Sequence, residues 1–568
     1  MEQMDHEGDF DRSLHAAQAR FTGGLSMTAL ALAWADWGLH LLGQPGRQLE
    51  LAQQAAQSGR DLTRQALGLH FEPLEPGPGD HRFVDQGWQA GPAALAAQGF
   101  LRLADFWTQA TTNNPGVSEK NQRIVNFTVR QMLDVMAPSN IPFCNPEVLA
   151  KAQSTQGDSL RQGMANFIED LRNAGSTKAQ TLPLRPGRDV ALTPGKIVFR
   201  NELFELIQYT PTTETVRPEP ILIVPAWIMK YYILDLSPHN SMVKYLVSQG
   251  FTVFCISWRN PDASMRDIGM DDYRSLGTMA AIDAITAICG QVKIHATGYC
   301  LGGTLLSITA ATMARDHDER LASMTLLAAQ TDFTEAGELQ LFINESQLRF
   351  LDDVMWAQGY LDAQQMTGAF QMLHANDLVW SQMIRRYYLG EEDHANDLMS
   401  WNMDSTRMPY RMHSEYLHRL FLKNDLAEGR FESGGRKISL ADIHVPFFVI
   451  GTETDHIAPW RSVYKLQQFN PGSFTFILTS GGHNAGVVSE PGHPHRHFCQ
   501  LVRKEGDLFV PPDEWQGRAT CQDGSWWPSW VAWLQAQSGA PISPPAFGAP
   551  KAGYPALAAA PGDYVFQR

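Results

Sequence analysis

A chain of 568 residues is too long for one compact core, so we expect two or more folded units. Its 60 Asp and Glu residues outnumber its 45 Lys and Arg residues, and a net charge of −15 argues against a broad basic surface for nucleic acid. Charged residues make up only 18%, below the ~25% of typical soluble proteins, which excludes a disordered chain and indicates a large core.

The N-terminal segment predicts neither a secretion signal nor a membrane span. Residues 1–22 are polar, lack a basic stretch, and are expected to be mobile. In the apolar stretch that follows, four large residues share one helical face: Leu30, Trp34, Trp37 and Leu41. Asp36 and His40 would make a membrane span costly. We predict a helix packed on a core, with a helix lying on an apolar surface as the alternative.

Helical patterns continue to about residue 180. The segment Ser118–Met136 has a cap-like serine and apolar residues at helical spacing, and a second such segment begins at Ser159. These patterns predict a helical N-terminal domain over residues 1–188. Six cysteines in so long a chain are not the disulfide framework of a secreted domain, so we expect a cytoplasmic protein.

From Asp189 the pattern changes to short apolar runs. Several runs are continuously apolar, which is typical of strands covered on both faces, and helical patterns separate the later ones. The runs are KIVFR, FELIQYT, ILIVPA, FTVFCISW, KIHATGY, SMTLLAA, PFFVIGT and FTFIL. Their alternation with helices predicts an α/β fold with a doubly wound, mostly parallel sheet over residues 189–568.

One connection in this pattern is unusually long. About 115 residues separate the SMTLLAA run from the PFFVIGT run, far more than one crossover needs. This region is rich in Met, Trp, Tyr and Phe, so we predict a cap subdomain inserted at about residues 334–440. The Pro- and Ala-rich region after Gly539 is expected to be extended.

The stretch Gly298–Gly302 is the most informative motif. It reads G-Y-C-L-G and joins a strand-like run to a helical one, as does the nucleophile elbow of α/β-hydrolases, with Cys300 in place of serine. The helix N-terminus favours a thiolate, and the N–H of Leu301 points to where an oxyanion would form. A buried structural cysteine is the alternative, but the strand-turn-helix context favours a nucleophile.

An acid and a histidine follow in the order that this fold requires. Asp455 comes directly after the PFFVIGT run, and His483 comes after the FTFIL run. Asp455 would otherwise be a turn residue or a helix cap, and Glu453 competes with it as the acid. His483 would otherwise be an exposed histidine.

With these motifs, the sequence resembles the polyhydroxyalkanoate (poly-3-hydroxybutyrate) synthases of the single-subunit type, over roughly residues 100–560. The resemblance is carried, in the family's order, by GYCLGGT, VPAWIMKYYILDLSP, ISWRNPD, NDLVW, WNMDSTRMP, DHIAPW, GGHNAG and GSWWPSW. It implies an acyltransferase that moves (R)-3-hydroxyacyl groups from CoA thioesters to a growing polyester and releases CoA. It also implies that Cys300, Asp455 and His483 form the catalytic triad, with no cofactor and no metal.

The resemblance further implies that Trp227 or Ile228 supplies a second oxyanion N–H. Two residues depart from the family's usual pattern: Met229 replaces an asparagine, and Asn484 replaces an aliphatic residue after the catalytic histidine. Expected partners are (R)-3-hydroxyacyl-CoA, the polyester granule surface, granule-associated proteins and a second copy in a homodimer. We expect no nucleic acid, no transmembrane segment, and a location in the cytoplasm at storage granules.

A cysteine suits this chemistry. Exchange between a thiol and a CoA thioester is nearly balanced, and transfer to a hydroxyl gives a more stable oxoester. We expect His483 to deprotonate Cys300, and Asp455 either to orient His483 or to help activate the incoming hydroxyl. The alternative functions are a Cys-dependent thioesterase or ester hydrolase of the same fold, and a non-catalytic granule-associated protein.

Several other signals are interpreted as structural. The histidines between His493 and His497 lie in a proline-containing loop, a poor preformed metal site. The remaining residues with this interpretation are His456, Asp235, Asp262, Trp526, Trp527, Trp530 and Trp533. The phosphate-binding loops G-x-x-x-x-G-K and G-x-G-x-x-G after a strand do not occur.

Overall fold

In the computed structural model the described residues are 5–22, 24–77, 80–174, 182–362, 379–392 and 396–568. They group into two compact units. The first unit contains residues 5–21, 182–362 and 396–568. The second unit contains residues 22, 24–77, 80–174 and 379–392.

The first unit is built on one large sheet. The strands among the described residues are β1 (Gly195–Arg200), β2 (Phe204–Tyr209), β3 (Ile221–Val224), β4 (Val253–Trp258), β5 (Ile294–Tyr299), β6 (Leu321–Leu327), β7 (Tyr360–Leu361), β8 (Met408–Pro409), β9 (Glu432–Ser433), β10 (Arg436–Lys437), β11 (Phe447–Thr452), β12 (Phe474–Thr479), β13 (His497–Arg503), β14 (Thr520–Asp523) and β15 (Ala558–Ala559). The pairs β7–β8 and β9–β10 stand apart from the large sheet.

The large sheet has the order β14-β13-β12-β11-β6-β5-β3-β4-β2-β1-β15. Its centre, from β4 to β12, is parallel, and antiparallel strands flank it on both sides. Leu222 and Val224 join one buried cluster while Ile221 and Ile223 join another, so both faces are covered. The predicted α/β fold with a doubly wound, mostly parallel sheet is confirmed, and all eight predicted runs form strands.

Helices precede the sheet and connect its strands. Those before the sheet are α1 (Asp5–Thr22), α2 (Met27–Leu42), α3 (Pro45–Ala66), α4 (Gly91–Thr111), α5 (Glu119–Val135), α6 (Pro146–Ser154) and α7 (Asp158–Ala174). Those after its first strands are α8 (Met242–Ser248), α9 (Met270–Asp272), α10 (Ala280–Cys289), α11 (Leu301–Arg315) and α12 (Glu345–Gln358). Shorter α-helices span Ser381–Met383, Asp397–Asn402, Tyr410–Glu415, Trp460–Tyr464, Pro512–Arg518 and Trp527–Ala536.

Tighter and wider helical turns complete the secondary structure. The π-helical segments are Tyr273–Met279, Ile384–Tyr388 and Tyr416–Leu422. The 3-10 turns are Gln86–Gln89, Pro138–Asn140, Tyr231–Asp235, Ala263–Met265, Gly337–Phe342, Leu440–Asp442, Lys465–Gln468, Pro550–Ala552 and Tyr564–Phe566.

Residues 5–22, which are expected from the sequence to be mobile, form helix α1; residues 1–4 lie outside the described residues. Ala19 is buried with Phe350 and Val354, and His15 Nδ1 lies 2.8 Å from a carboxylate oxygen of Asp353. These partners are more than 300 positions away in the sequence, so the local polar pattern gave no sign of them.

The second unit has a helical core of its own. The two helices predicted from Ser118 and Ser159 are confirmed as α5 and α7, and Ser118 Oγ caps α5 by accepting the N–H of Asn121 (3.2 Å). On α2, Trp34 and Trp37 pack against the core as predicted. No helix among the described residues is long and apolar enough to cross a membrane.

The sheet's outer strands were not predicted. On β13 and β14, Cys499 lies opposite Cys521, and the two form a disulfide. Past Gly539, where an extended chain was expected, β15 pairs with β1 and the turn Tyr564–Phe566 follows. The tryptophans Trp526, Trp527 and Trp530 are buried, which confirms their predicted packing role.

Candidate active site

Cys300 lies at the sharp turn between β5 and α11. Its backbone has φ 51° and ψ −126°, a conformation that L-residues rarely adopt and that strained functional turns impose. A Cβ at Gly298 would lie 2.4 Å from the Cα of Gly303, and one at Gly302 would lie 2.1 Å from the carbonyl oxygen of Val224. The glycines of the motif are therefore needed for close approach of strand, turn and helix.

Asp455 and His483 meet at the carboxyl edge of the sheet. His483 Nδ1 lies 2.8 Å from Asp455 Oδ2, which also accepts from Thr452 Oγ1 at 2.9 Å. Asp455 Oδ1 accepts the backbone N–H groups of Ile457 (2.9 Å) and Ala458 (2.8 Å). The Asp455 side chain is 0% exposed and that of His483 is 6% exposed, so this pair is shielded from water.

The third member of the cluster is Cys300. It lies close enough to His483 to influence the protonation of that imidazole. Burial lowers the pKa of His483, but the charges of Cys300 and Asp455 outweigh burial and raise the pKa to about 10. Burial raises the pKa of Asp455, but the charge of His483 and the hydrogen bonds to the carboxylate outweigh this, so the pKa is lowered. The raised pKa keeps a proton on the imidazole of His483, beside the carboxylate of Asp455.

Glu453, the competing acid, points elsewhere. Its carboxylate lies 2.9 Å from Nε2 of His497, and both side chains are partly exposed. Of the two acidic residues after β11, Asp455 is the one that contacts His483.

Asn484, which departs from the family's usual pattern, forms a hydrogen bond beside the site. Asn484 Oδ1 accepts the hydroxyl of Tyr299 at 2.6 Å, and the Tyr299 ring lies 5.8 Å from that of His483. Burial, with the charges of Cys300 and Asp455, raises the pKa of Tyr299 well above its ordinary value, so this hydroxyl stays a donor. The bond links the neighbours of the cysteine and the histidine, a contact that sequence reasoning missed.

The candidate oxyanion donors come from two sides. Leu301 is the first residue of α11, so its N–H has no acceptor within the helix. Trp227 and Ile228 lie in the loop Pro225–Lys230 after β3, which we name the oxyanion loop. Within the described ranges the backbone N–H groups of both residues have no acceptor. Gly302 packs against the start of the oxyanion loop, and this contact brings the loop beside Cys300.

An aromatic cluster lines the neighbourhood of Cys300. Trp227 lies 5.8 Å from Tyr273 and 6.0 Å from Tyr416, and Tyr416 packs edge-on against Phe333 and Phe421. Burial and the charge of Cys300 raise the pKa of Tyr416 well above its ordinary value. No sequence motif had marked Tyr416, because only folding brings its helix beside the elbow.

The other sequence signals lie in structural settings. Asp235 is buried and accepts from the hydroxyls of Thr193 (2.5 Å) and Ser241 (2.6 Å), and Asp262 caps the turn Ala263–Met265. Among the described residues no group of three or more His, Cys, Asp or Glu could hold a metal ion.

Comparison with protein families gives three matches along the chain. A model described as the alpha/beta hydrolase fold matches residues 219–489. Models described as the poly-beta-hydroxybutyrate polymerase N-terminus and the poly-beta-hydroxybutyrate polymerase N terminal match residues 79–246 and 7–47.

Curated relatives match over most of the chain. The poly(3-hydroxyalkanoate) polymerase of Methylorubrum extorquens is 39% identical over 550 residues, which are 95% of this chain and 89% of that one. The corresponding polymerase subunits of Rhizobium etli and Cupriavidus necator are 37% and 36% identical. They cover 88% and 86% of this chain, and 79% and 83% of their own lengths. The chain therefore belongs to the poly(3-hydroxyalkanoate) polymerase family, as the motifs around its α/β-hydrolase elbow predicted.

Proposed function

We propose that this polyester synthase transfers (R)-3-hydroxyacyl groups from CoA thioesters to a growing polyester through a thioester on Cys300. The observation that carries the proposal is the cluster of Cys300, at a strained elbow, with His483 and the Asp455 carboxylate that is hydrogen-bonded to it. A nucleophile, a base and an orienting acid in this arrangement activate a thiol for attack on a carbonyl.

In the first step, His483 takes the proton of Cys300 and the thiolate attacks the thioester carbonyl. The raised pKa of His483 supports a proton resting on the imidazole. The backbone N–H groups of Leu301 and of Trp227 or Ile228 stabilise the oxyanion. When the intermediate collapses, CoA leaves as the thiol with the proton from His483, and the acyl group stays on Cys300.

In the second step, the hydroxyl of an acyl chain attacks the thioester and an oxoester forms. His483 accepts the hydroxyl proton, and the thiolate of Cys300 is regenerated. The contacts of Asp455 support an orienting role rather than direct contact with substrate. Its side chain is 0% exposed, and both oxygens are occupied by His483 and three other donors.

Water must be kept from the acylated cysteine, since it would end the chain by hydrolysis. The predicted cap, at about residues 334–440, is the candidate for this role: it includes Tyr416 and Phe421 of the aromatic cluster. Residues 363–378 and 393–395 of that range lie outside the described residues. We assign the catalytic role to the first unit and a separate helical domain to the second unit. The helical domain predicted over residues 1–188 corresponds to the second unit except that residues 5–21 and 182–188 lie in the first unit, and residues 379–392 join the second.

Incubation with (R)-3-hydroxybutyryl-CoA tests the function. We expect released CoA to be matched by hydroxyacyl units in polymer, with little free 3-hydroxybutyrate. CoA is measured with a thiol reagent. Polymer is measured by chromatography after depolymerisation of the washed pellet, and free acid by chromatography of the supernatant. Free acid in place of polymer would identify a thioesterase, and an absence of CoA release would identify a non-catalytic protein.

We also propose that α2 contacts the polyester granule. Its outward side is apolar, with Leu32, Leu39 and Leu42 63%, 70% and 75% exposed. Helix α2 therefore packs on the core of the second unit through Trp34 and Trp37 and exposes apolar leucines on its other side, as helices that lie on apolar interfaces do.

Replacement of Leu32, Leu39 and Leu42 by glutamine tests this contact. We expect partition onto poly-3-hydroxybutyrate particles to fall at least about tenfold, since each buried leucine is worth up to a few kcal/mol. Sedimentation with the particles measures it, with Leu508→Gln/Leu557→Gln as the control because both leucines are exposed in the other unit. Equal loss in the control, or no loss in the triple variant, would contradict the proposal. Homodimerisation and granule-associated partners remain predictions, and sedimentation velocity checks the former.

A further inference from the structure

Lys230 ends the oxyanion loop and is 3% exposed. Its Nζ donates to the backbone carbonyl oxygens of Gln567 (2.8 Å) and Tyr564 (3.1 Å). Burial, together with the positive charges of Arg568 and Arg407, lowers the pKa of Lys230 to about 7. Among the described residues no carboxylate forms an ion pair with Lys230, so two backbone carbonyls of a distant segment hold its amine.

The segment Tyr564–Arg568, which we name the strap, is itself anchored at both ends. At its start, the N–H of Tyr564 donates to Oε2 of the buried Glu205 at 3.0 Å. Within it, the side chain of Val565 is fully buried. At its end, Arg568 pairs with Asp404, and the backbone oxygen of Arg568 accepts from Arg407 Nη2 at 2.7 Å.

Asn260 ties the strap to the same surface. Its N–H donates to Gln567 Oε1 at 3.1 Å, and its Oδ1 accepts the N–H of Arg407 at 2.9 Å. The strap is therefore seated on a built surface, and the amine of Lys230 lies between that strap and the oxyanion loop.

The rest of the oxyanion loop is held from another side. Thr406 donates through its Oγ1 to the carbonyl of Trp227 (2.8 Å) and through its N–H to that of Ile228 (3.2 Å). Trp401 Nε1 donates to the carbonyl of Lys230 at 2.7 Å. These bonds occupy the carbonyl groups and leave the N–H groups of Trp227 and Ile228 available to an oxyanion. The side chain of Lys230 then fixes the end of the loop to the strap.

We propose that Lys230 and the strap position the oxyanion loop, so that residues more than 330 positions away are required for the acylation of Cys300. The proposal rests on the proposed function, since it assumes that Trp227 or Ile228 donates to the oxyanion. Lys230 is a positioning residue: it acts through the loop backbone. A displacement of about 1 Å in such a group can cost on the order of 10²-fold in rate.

The test separates oxyanion binding from thiolate reactivity. Alkylation of Cys300 by iodoacetamide needs the thiolate but forms no tetrahedral intermediate. Acylation by 3-hydroxybutyryl-CoA needs the thiolate and also the N–H groups that stabilise the oxyanion of the tetrahedral intermediate. We expect Lys230→Met to slow the acylation burst on the order of 10- to 10²-fold and to leave alkylation within about twofold. A variant that ends at Asp563 is expected to show the same split, and the combined variant to lose little more.

Lys244→Met is the matched control, because Lys244 also donates to a backbone carbonyl, that of Pro238 (3.0 Å), but is exposed. Both of its rates should be unchanged. If Lys230→Met unfolds at the assay temperature, Lys230→Gln, which keeps an amide donor, replaces it. Unchanged acylation in the Lys230 and Asp563-terminated variants, or equal loss of acylation and alkylation, would overturn the proposal. A Cys300→Ala protein that still releases CoA would instead overturn the proposed function.

Discussion

Cys300→Ala is expected to lower CoA release from (R)-3-hydroxybutyryl-CoA by on the order of 10⁴-fold or more, because the proposed reaction has no other covalent acceptor for the acyl group. Rapid quench with radiolabelled substrate should also find no acyl group on the protein. The unfolding transition should remain within a few degrees of that of the parent chain, because only one sulfur atom is removed.

Cys144→Ala and Cys289→Ala are the matched controls, since both cysteines are free thiols outside the Cys300–His483–Asp455 cluster. Both variants should keep full activity. Cys300→Ser adds a thermodynamic test: an oxoester on serine is about as stable as the product ester, so we expect at most one equivalent of CoA and no polymer. Turnover by Cys300→Ala at more than a small fraction of the parent rate would exclude Cys300 as the nucleophile.

Asp455→Asn is expected to slow acylation and elongation together, by on the order of 10²–10³-fold. The carboxylate orients His483 through the 2.8 Å bond to Nδ1 and raises the pKa of that histidine. Loss of this carboxylate is expected to lower the pKa of His483 from its value of about 10. A smaller fraction of His483 should therefore be protonated at neutral pH.

Two measurements check this result. Single-turnover kinetics resolve acylation from elongation, and NMR of the His483 imidazole reports its protonation across pH. Glu453→Gln is the control, because Glu453 contacts His497 and not His483, and it should remain within about twofold of the parent chain. Normal acylation with slow elongation in Asp455→Asn would assign Asp455 to the substrate hydroxyl instead of to His483.

Much of the fold and the site could be predicted because the relevant signals are local. Continuous apolar runs such as β11 and β12 report that both faces of a strand are buried, wherever its neighbours come from. The glycines around Cys300 report a turn too tight for a Cβ. Given that turn, the order of the strands places Asp455 and His483 at the same sheet edge.

The outer strands could not be predicted in this way. Only Phe498 and Arg503 of β13 are buried, and β14 is exposed throughout, so neither strand has a continuous apolar run and their hydrogen-bonded neighbours decide that they are strands. The disulfide between Cys499 and Cys521 depends on that pairing, because only the register of the two strands sets the cysteines opposite each other.

The length of the chain predicted two or more folded units, and its low share of charged residues predicted a large core. By itself the sequence determined the α/β class, the family and the identity of the three residues proposed to react, because each depends on backbone preference or burial within a few neighbouring residues. The tertiary structure decided what surrounds them: the Tyr299–Asn484 bond, the approach of Tyr416, and the strap that holds Lys230. These contacts join segments between 185 and 337 positions apart, and a contact between such distant segments leaves no periodic pattern in the sequence of either one.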